Sequence, residues 1–569
     1  MKKLLFLLPI VLVCFSCKKG LLDQPPIDRA AEDIVWTDAA LVRAYHTELY
    51  NAVPHGHQQH MLSKFTDEAI NTTPSGQGPN NFARGIWNGD NITGVNGDGN
   101  GGSIYYWNKG FQYIRKINVF MERMAENKVS LADKPKLIAE AKFIRAWVYF
   151  NLIERFGGVP IVTKTYKLGE TETFTRATFD ECVAFIDKDL TEAIPDLPQA
   201  IAADAAGFGR ATKDASLALR SRVFLYAASA LNNPTNDLAK WQKASDAAAA
   251  LLTRGYSLYP DYKAAFNRPS GSANPELIFA RNFTTANGHQ TPPNNLGRRY
   301  NAYGGWWASN GPSQNLVDDY DMATTGQPAF IFGGTGATYT KTVNPTSGYN
   351  PQAPYTNRDP RFDATIIHDE TVYHGDLHEM WISSDSKTWG YDSYKTSSDN
   401  PTSNYVLKKF MPETDPIAFS VQYTQPWPIF RLAEIYLNYA EAQFELGNEG
   451  VARQYVNLVR KRPSVNMPDI PATVTGAALR ARIYNERRVE LAFEGHRFWD
   501  VRRWKIAMDV EKRPLYGMDI VKNIATGVKT YTPAKKLDRI FEEKMYLIPI
   551  ETNEVRRNAN PGFAQNPGW

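Results

Sequence analysis

The chain has 569 residues, and its 64 lysine and arginine residues against 60 aspartate and glutamate residues give a formal charge of +4. A charge so close to neutral argues against a nucleic-acid partner held mainly through phosphate contacts. Hydrophobic residues make up 43% and charged residues 22% of the chain, which is typical of a globular protein and excludes wholesale disorder or a multi-span membrane protein. The chain also has 29 tyrosines and 13 tryptophans, whose rings with a polar group are frequent at binding surfaces.

The first residues have the features of an export signal. Two lysines precede an apolar run from Leu4 to Val13, and a serine stands directly before Cys17. The apolar run is too short to span a bilayer as a helix. A cysteine at this position resembles the attachment site of a bacterial lipoprotein, although the two residues before the serine depart from the usual pattern. We therefore predict a lipoprotein signal peptide over residues 1–16 and lipidation of Cys17, with a plain secretory signal as the alternative.

One internal cysteine remains after the signal. Cys182 lies beside an apolar stripe that runs from Phe179 to Ile194 at helical spacing. Because the other cysteines belong to the signal and the attachment site, the mature chain has no pair for an internal disulfide. We predict that Cys182 is a small residue at the edge of the core.

Several segments have apolar residues at the spacing of an amphipathic helix. They include residues 137–148, 219–230, 241–252, 432–446 and 451–460. Two of the helices are followed closely by a second, and small residues recur inside them, as in tetratricopeptide (TPR) arrays. The repeat length is irregular. The fold predicted is therefore dominated by α-helices, with irregular TPR-like helix pairs that form an α-α superhelical scaffold.

Two long tracts interrupt this pattern. Residues 71–103 are rich in glycine and asparagine, and residues 268–427 are rich in proline, glycine, asparagine, serine and threonine. The second tract contains strand-like runs such as Glu276 to Ala280 and Tyr405 to Phe410. Neither tract has the pattern of a helix pair. Loop-rich insertions of this length in a compact protein usually serve a function, because ordering them is entropically costly.

Several sequence blocks resemble SusD/RagB proteins of Bacteroidota. The blocks are GLLDQP at 20–25, AEAKFIRAWVYF at 139–150, FGGVP at 156–160, GRAT at 209–212, LYAA at 225–228, RLAEIYLNYAEA at 431–442, ERRVELAFEGHRFWD at 486–500 and QNPGW at 565–569. They follow one another in order along the mature chain. The resemblance therefore predicts one SusD-like domain over residues 17–569.

The resemblance implies a lipid-anchored protein of the outer membrane that faces the cell exterior. It implies capture of an oligosaccharide and a position as a hinged lid on a SusC-like TonB-dependent transporter. Some relatives, RagB among them, handle peptides, so a peptide-binding lid is an alternative. A surface glycoside hydrolase is a second alternative, although a nutrient-binding protein without enzymatic activity is the function that we predict.

Candidate ligand contacts lie in the two non-helical tracts, where the binding sites of the family are similarly placed. In and just before the first tract they are Asp67, Arg84 and Trp87; in the second they are Tyr303, Trp306 and Trp307. An aromatic face can lie against the apolar face of a pyranose while polar neighbours satisfy its hydroxyl groups. Core packing is the competing interpretation for each tryptophan.

The block 486–500 also invites an enzymatic interpretation. Glu490 and Glu494 share one helix face near His496 and Asp500, and glycosidases use paired carboxylates. Arginines are interleaved with these carboxylates, and an arginine neighbour lowers a carboxyl pKa, which is unfavourable for a general acid. We therefore predict structural ion pairs in this block.

Metal and cofactor motifs are weak. Residues 96–107 match part of an EF-hand loop but have Trp107 in place of the bidentate glutamate. His55, His57 and His60 lack helical spacing, so a solvated loop is favoured over zinc. The chain has none of the nucleotide-binding or serine-hydrolase motifs. The sequence thus predicts neither a metal nor a cofactor.

Overall fold

The computed structural model describes residues 32–72, 77–95, 104–167, 169–170, 172–303, 308–335, 338–558 and 560–569. Helices provide most of the regular structure, as predicted, and small sheets lie between them. The α-helices are α1 (Glu32–Val35), α2 (Ala39–Glu48), α3 (Gln77–Ala83), α4 (Ile92–Val95), α5 (Trp107–Ala125), α6 (Lys134–Phe156), α7 (Phe179–Ala193), α8 (Lys213–Ala228), α9 (Leu238–Ala249), α10 (Tyr262–Asn267), α11 (Thr291–Asn295), α12 (Gln314–Asp318), α13 (Pro360–Thr365), α14 (Leu432–Glu445), α15 (Glu449–Arg460), α16 (Gly476–Glu490), α17 (Arg497–Arg503), α18 (Ala507–Val510) and α19 (Thr552–Arg557).

The strands are short and mostly antiparallel. They are β1 (Ala69–Asn71), β2 (Leu277–Arg281), β3 (Asn310–Pro312), β4 (Phe330–Gly333), β5 (Thr340–Val343), β6 (Ile366–Ile367), β7 (Val372–Tyr373), β8 (Asp376–Leu377), β9 (Ile382–Ser383), β10 (Val406–Leu407), β11 (Trp427–Arg431), β12 (Leu515–Lys522) and β13 (Lys529–Leu537). Two-stranded ribbons pair β1 with β3, β2 with β11, β4 with β5, β6 with β10 and β7 with β8, and one three-stranded sheet has the order β13-β12-β9.

Helix α6 lies at the centre of the core. It is apolar nearly all round, which is typical of a helix surrounded by protein, and most of its residues from Leu137 to Phe156 are buried. It packs against α5, α7 and α8. Gly157, with φ of 72°, ends the helix in a backbone conformation that glycine adopts without strain.

Consecutive helices form the packed pairs that the sequence predicts. Helix α8 packs against α9 and α14 packs against α15, while α14 also contacts α9 and α16. The predicted stripe 432–446 coincides with α14, and Gly447 follows with φ of 85°. Helix α8 ends at Ala228, two residues before the predicted stripe does, because Ser229 has an extended backbone conformation. The Asn233 side chain satisfies this helix end by donating a hydrogen bond to the Ala228 carbonyl oxygen at 3.0 Å. The comparison with TPR arrays stays a prediction.

The two interrupting tracts differ from expectation in detail. The first holds two short helices, α3 and α4, that contact each other; Gly78 permits this approach, because a side chain there would meet the Val95 carbonyl oxygen at 3.0 Å. The predicted strand from Tyr405 to Phe410 is reduced to β10, since Asn404 and Phe410 on either side have positive φ values of 57° and 69°.

Three further expectations concern the cysteines and the membrane. Cys182 is fully buried in α7, as predicted, and burial raises the pKa of its thiol to about 11. Cys17 lies outside the described residues. Within the described ranges, the structure contains no helix that is both long and apolar enough to cross a membrane.

Candidate functional site

A two-stranded ribbon joins the two non-helical tracts. Strands β1 and β3 run antiparallel, with Ala69 opposite Pro312 and Asn71 opposite Asn310. Beyond this end of the ribbon, the Thr72 hydroxyl donates a hydrogen bond to the Ala308 carbonyl oxygen at 2.9 Å. The first tract therefore leaves the ribbon beside the point at which the chain enters it from residues 304–307.

Buried amide side chains hold this ribbon in place. Asn310 is fully buried; its Nδ2 donates to the Gln59 carbonyl oxygen at 3.1 Å, and its Oδ1 accepts from the Met61 backbone amide at 3.2 Å. The Asn295 side chain accepts from the Asn310 backbone amide at 3.2 Å. Because fully hydrogen-bonded buried amides are costly to rearrange, the ribbon is a rigid base for the two tracts.

A polar groove of about 590 Å³ lies next to the ribbon, within the usual size range of ligand sites. Its lining residues come from the segment before the ribbon, the start of α5, the end of β2 and the chain around α11. They are Asn51, Val53, His55, His57, Gln58, Gln59, Lys109, Tyr113, Arg281, Phe283, Asn287, Gly288, His289, Gln290 and Asn294. Gln59 and Asn294 connect groove and ribbon, since their carbonyl oxygens accept hydrogen bonds from Asn310 and Ser309.

The second tract also presents exposed aromatic rings. A 3-10 helix runs from Arg298 to Tyr303, and the Arg299 guanidinium lies over the Tyr391 ring at 4.7 Å while it pairs with Asp392 at 2.6 Å. Tyr391 is 48% and Trp389 42% exposed. We name Arg299, Trp389 and Tyr391 the aromatic shelf. A solvent-facing ring flanked by charged groups is typical of a binding surface.

Comparison with known proteins places the chain in a family. Residues 275–569 match the model of the SusD family, and residues 25–225 match a second SusD-like model described as starch-binding associating with outer membrane. The chain belongs to the SusD family. A SusD-like protein of Bacteroides ovatus is 24% identical over 521 residues, which cover 88% of this chain and 82% of that protein.

Solved structures of the SusD family have the same fold. A SusD-like protein of Bacteroides fragilis superposes with a TM-score of 0.74 at 26% identity, covering 96% of this chain and all of that one. A SusD-like carbohydrate binding protein of the same species also gives a TM-score of 0.74, at 24% identity, and covers 93% of this chain and all of the other. The helix-dominated fold that the sequence predicts is thus confirmed.

The predicted aromatic contacts of the second tract precede strand β3 in the sequence. Tyr303 is the last residue of the 3-10 helix; its side chain, and all of Trp306 and Trp307, lie outside the described residues. Ala308 follows directly and is held by Thr72. Arg84, at the end of α3, is exposed. These four residues stay predicted ligand contacts.

The structure corrects the assignment of Asp67. Its carboxylate is buried, with Arg488 at 2.8 Å and Arg497 at 2.9 Å. Burial alone would raise the pKa of Asp67, but the two guanidinium groups outweigh it and hold this pKa below its usual range. A carboxylate neutralised by two arginines stabilises the fold and has little capacity left to accept from a ligand hydroxyl.

The structure likewise corrects the assignment of Trp87. Only 4% of this residue is exposed. Its ring is stacked on Phe82 at 4.7 Å and packs on the C-terminal Trp569 at 4.6 Å. Trp87 is a core residue, so its packing interpretation is correct and its interpretation as a ligand contact is wrong. Position within a glycine-rich tract did not reveal this, because Trp569 is distant in sequence.

The block 486–500 forms buried ion pairs, as predicted, but the arginines that pair with Glu490 lie outside the block. Glu490 contacts Arg361 at 2.9 Å and both Arg431 and Arg462 at 2.7 Å, and the same Arg431 and Arg462 contact Glu276 at 2.7 and 2.6 Å. We name these five residues the ion-pair core. Burial opposes ionisation of Glu490, but the three arginines prevail and hold the pKa of Glu490 below its usual value. A carboxyl in this state is unsuited to general-acid catalysis.

The histidine-rich segment is less solvated than expected. His57 is buried, and its ring stacks on that of His289 at 3.8 Å, whereas His60 Nδ1 lies 2.9 Å from Lys64 Nζ. Among the described residues, no group of three or more potential metal ligands is suitably arranged. Residues 96–103, which match part of an EF-hand loop in sequence, lie outside the described residues.

Sequence reasoning missed the residues that build the groove. No sequence pattern indicated Arg281, Phe283 or His289, because they lie in a tract whose composition predicts only loops and short strands. His55 and Gln58 were visible in a polar, histidine-rich segment, and that pattern was a usable signal for a polar site. The pairing of this segment with residues 281–294 depends on contacts between distant parts of the chain.

Proposed function

We propose that the protein captures an oligosaccharide at the cell surface and delivers it to a SusC-like TonB-dependent transporter. One observation carries the proposal: the two non-helical tracts meet at the β1–β3 ribbon, beside an open polar groove. Membership of the SusD family supports it, as does the carbohydrate binding named for the Bacteroides fragilis relative.

The polar groove and the aromatic residues Tyr303, Trp306 and Trp307 are the proposed ligand surface. Amide and imidazole groups in the groove can donate and accept hydrogen bonds, which suits the hydroxyl groups of sugars. The rings of Tyr303, Trp306 and Trp307 would supply faces for pyranose rings. Arg84 is a further polar candidate.

A binding panel tests the proposal. Purified protein that lacks residues 1–16 is titrated by calorimetry with oligosaccharides of varied backbone and with peptides of matched size. Binding of a glycan but of none of the peptides is expected. Binding of peptides alone would favour a RagB-like peptide-binding lid instead, and product release from any glycan would favour a glycoside hydrolase.

The anchor and the transporter need separate experiments. Diacylated or triacylated Cys17 would give stable membrane attachment, because two acyl chains hold where one is marginal. Cys17→Ala is expected to release soluble protein from the outer membrane, and wild-type protein found unlipidated in the medium or periplasm would contradict the anchor. Co-purification of an affinity-tagged wild-type protein with a TonB-dependent barrel from mild-detergent extracts is the expected evidence for delivery.

A further inference from the structure

The charge of the groove lining is one-sided. Lys109 and Arg281 are cationic, and neither aspartate nor glutamate is present among the lining residues within the described part of the chain. The other polar members are neutral amides, three histidines and a tyrosine. For a protein whose acidic and basic residues are nearly balanced overall, this composition is a local excess of positive charge.

Arg281 is fixed in the groove by neutral partners. It is the last residue of β2, opposite Trp427 of β11. Its guanidinium donates to the Val53 carbonyl oxygen and to the Asn51 side chain, both at 3.2 Å. It also donates to the Tyr50 carbonyl oxygen at 3.5 Å, so all of its hydrogen bonds within the described residues go to neutral oxygens. Its positive charge therefore lacks the compensation that the buried arginines of the ion-pair core have.

The carboxylate that contacts the lining residue Tyr113 is already neutralised. Tyr113 donates a long hydrogen bond of 3.4 Å to Glu48, and Glu48 forms an ion pair with Lys116 at 2.8 Å. This pair adds no net negative charge. Burial is the main cause that lowers the pKa of His55 to about 3, and Arg281, His289 and Lys109 lower it further, in that order.

Buried polar atoms in the lining also lack protein partners. Gln58 is 5% exposed, and neither its amide nitrogen nor its amide oxygen has a hydrogen-bond partner in the described structure. The same holds for the side-chain oxygen of Gln290 and for Nδ1 of His55. Because buried polar groups are normally satisfied, these atoms indicate a ligand or ordered water in the groove.

We propose that the groove binds the anionic units of an acidic glycan, through a carboxylate or a sulfate ester. The guanidinium of Arg281 would bind either anion through charge-assisted hydrogen bonds, which are stronger than those between neutral groups. Gln58 and Gln290 would bind neighbouring hydroxyl groups. This inference rests on the proposed function and specifies its class of substrate.

Two matched pairs of ligands test the inference. Oligogalacturonides are compared with their methyl esters, and sulfated carrageenan oligosaccharides with their desulfated forms, so that charge changes while the backbone stays the same. We expect the acidic member of at least one pair to bind at least about tenfold more tightly at low salt, with the difference shrinking as added salt screens the charges. The pair that shows the difference identifies carboxylate or sulfate as the ligand group.

Substitution of Arg281 provides the second test. Arg281→Gln is expected to weaken binding of the acidic ligand by at least about tenfold, since hydrogen bonds to charged groups are among the strong ones. Arg281→Lys keeps the charge and should recover part of the affinity. Arg557→Gln removes an equal charge from a side chain that is 78% exposed and should bind as wild type does. Thermal unfolding of each variant establishes that it is folded.

The outcomes separate the inference from the proposed function. Equal affinity for both members of each pair, or equal losses for Arg281→Gln and Arg557→Gln, would overturn the inference and leave glycan capture intact. Wild-type protein that binds neither acidic nor neutral glycans in any pair or in the wider panel would overturn both.

Discussion

The ion-pair core and the polar groove use arginine in opposite ways. In the ion-pair core, Arg431 and Arg462 each contact two carboxylates at 2.6 to 2.7 Å. In the groove, Arg281 donates to neutral oxygens alone among the described residues. Buried charges with partners stabilise one folded state, whereas a charge without a counter-ion retains the capacity to bind one. The number of carboxylates that contact an arginine, more than the presence of arginine itself, separates scaffold from candidate site.

Breaking the ion-pair core should have the largest effect. Glu490→Ala removes the carboxylate that contacts Arg361, Arg431 and Arg462 together, and removal of one member of a buried pair costs about 3 to 5 kcal/mol. We expect a loss of about 3 to 5 kcal/mol in the free energy of unfolding, measured by denaturant titration. Glu543→Ala is the control, because Glu543 is 66% exposed where it meets Lys505 and surface pairs contribute little. A variant as stable as the control would contradict the scaffold assignment.

Trp87→Ala tests the corrected assignment in the first tract. The substitution removes a ring that packs between Phe82 and Trp569, and tryptophan-to-alanine changes in cores cost about 3 to 5 kcal/mol. The melting temperature should fall, while the folded fraction should bind glycan with wild-type affinity. Normal stability combined with lost binding would restore Trp87 to the ligand surface.

The ion-pair core and the polar groove also show how much of the structure the sequence could predict. Helical periodicity located α6, α14 and their neighbours, because a buried stripe repeats within one segment. Interleaved Arg and Glu residues correctly predicted buried ion pairs for 486–500, and Asp500 does pair with Arg487 and Arg503. The three arginines that contact Glu490 lie outside the block and were not predicted. Asp67 and Trp87 were misassigned because their partners, Arg497 and Trp569, lie more than 400 residues away. The groove escaped prediction for the same reason.

Alanine substitution of the aromatic residues in the second tract tests whether they contact the ligand. Trp306→Ala, Trp307→Ala and Tyr303→Ala are measured by calorimetry against whichever glycan binds wild type. At least one is expected to cost about 2 kcal/mol of binding free energy, as true hot spots do. Tyr391→Ala should cost less, because Arg299 already covers one face of that ring. If the three variants stay folded and bind normally while Tyr391→Ala does not, the ligand lies on the aromatic shelf.

A carboxyl without sufficient partners should make stability depend on pH. Burial raises the pKa of Glu68 to about 8, despite an opposing contribution from Arg488. A raised folded-state pKa means that the folded protein keeps a proton which the unfolded chain loses at about pH 4.3. The stability that protonated Glu68 contributes is therefore complete below that pH and is lost as the pH rises towards 8. Glu490 has the opposite dependence, because its lowered pKa contributes stability that is lost on acidification.

Glu68→Gln isolates this contribution. Between pH 6 and pH 7 the wild type should lose up to about 1.4 kcal/mol more stability than the variant does. Glu154, whose pKa is raised to about 7 by burial, titrates in both proteins and so cancels from the comparison. Parallel stability profiles of the two proteins from pH 5 to pH 8 would show that Glu68 is ionised in the fold.

The smallest expected change in stability comes from the ribbon. Thr72→Val keeps the shape of the side chain but removes the hydroxyl that donates to the Ala308 carbonyl oxygen, and one such hydrogen bond contributes about 1 kcal/mol. Ala308 directly follows Trp307 and has a positive φ of 41°, which is unfavourable for alanine. Loss of the bond from Thr72 therefore removes a contact that holds Ala308 in this conformation. We expect a small shift in the denaturation midpoint together with a clear loss of glycan affinity, because the ribbon positions the two tracts. Thr72→Ser retains the hydroxyl and should match wild type in both measurements. Unchanged affinity in Thr72→Val would mean that the ribbon contributes to folding alone and that the groove binds its ligand without help from the adjoining segment.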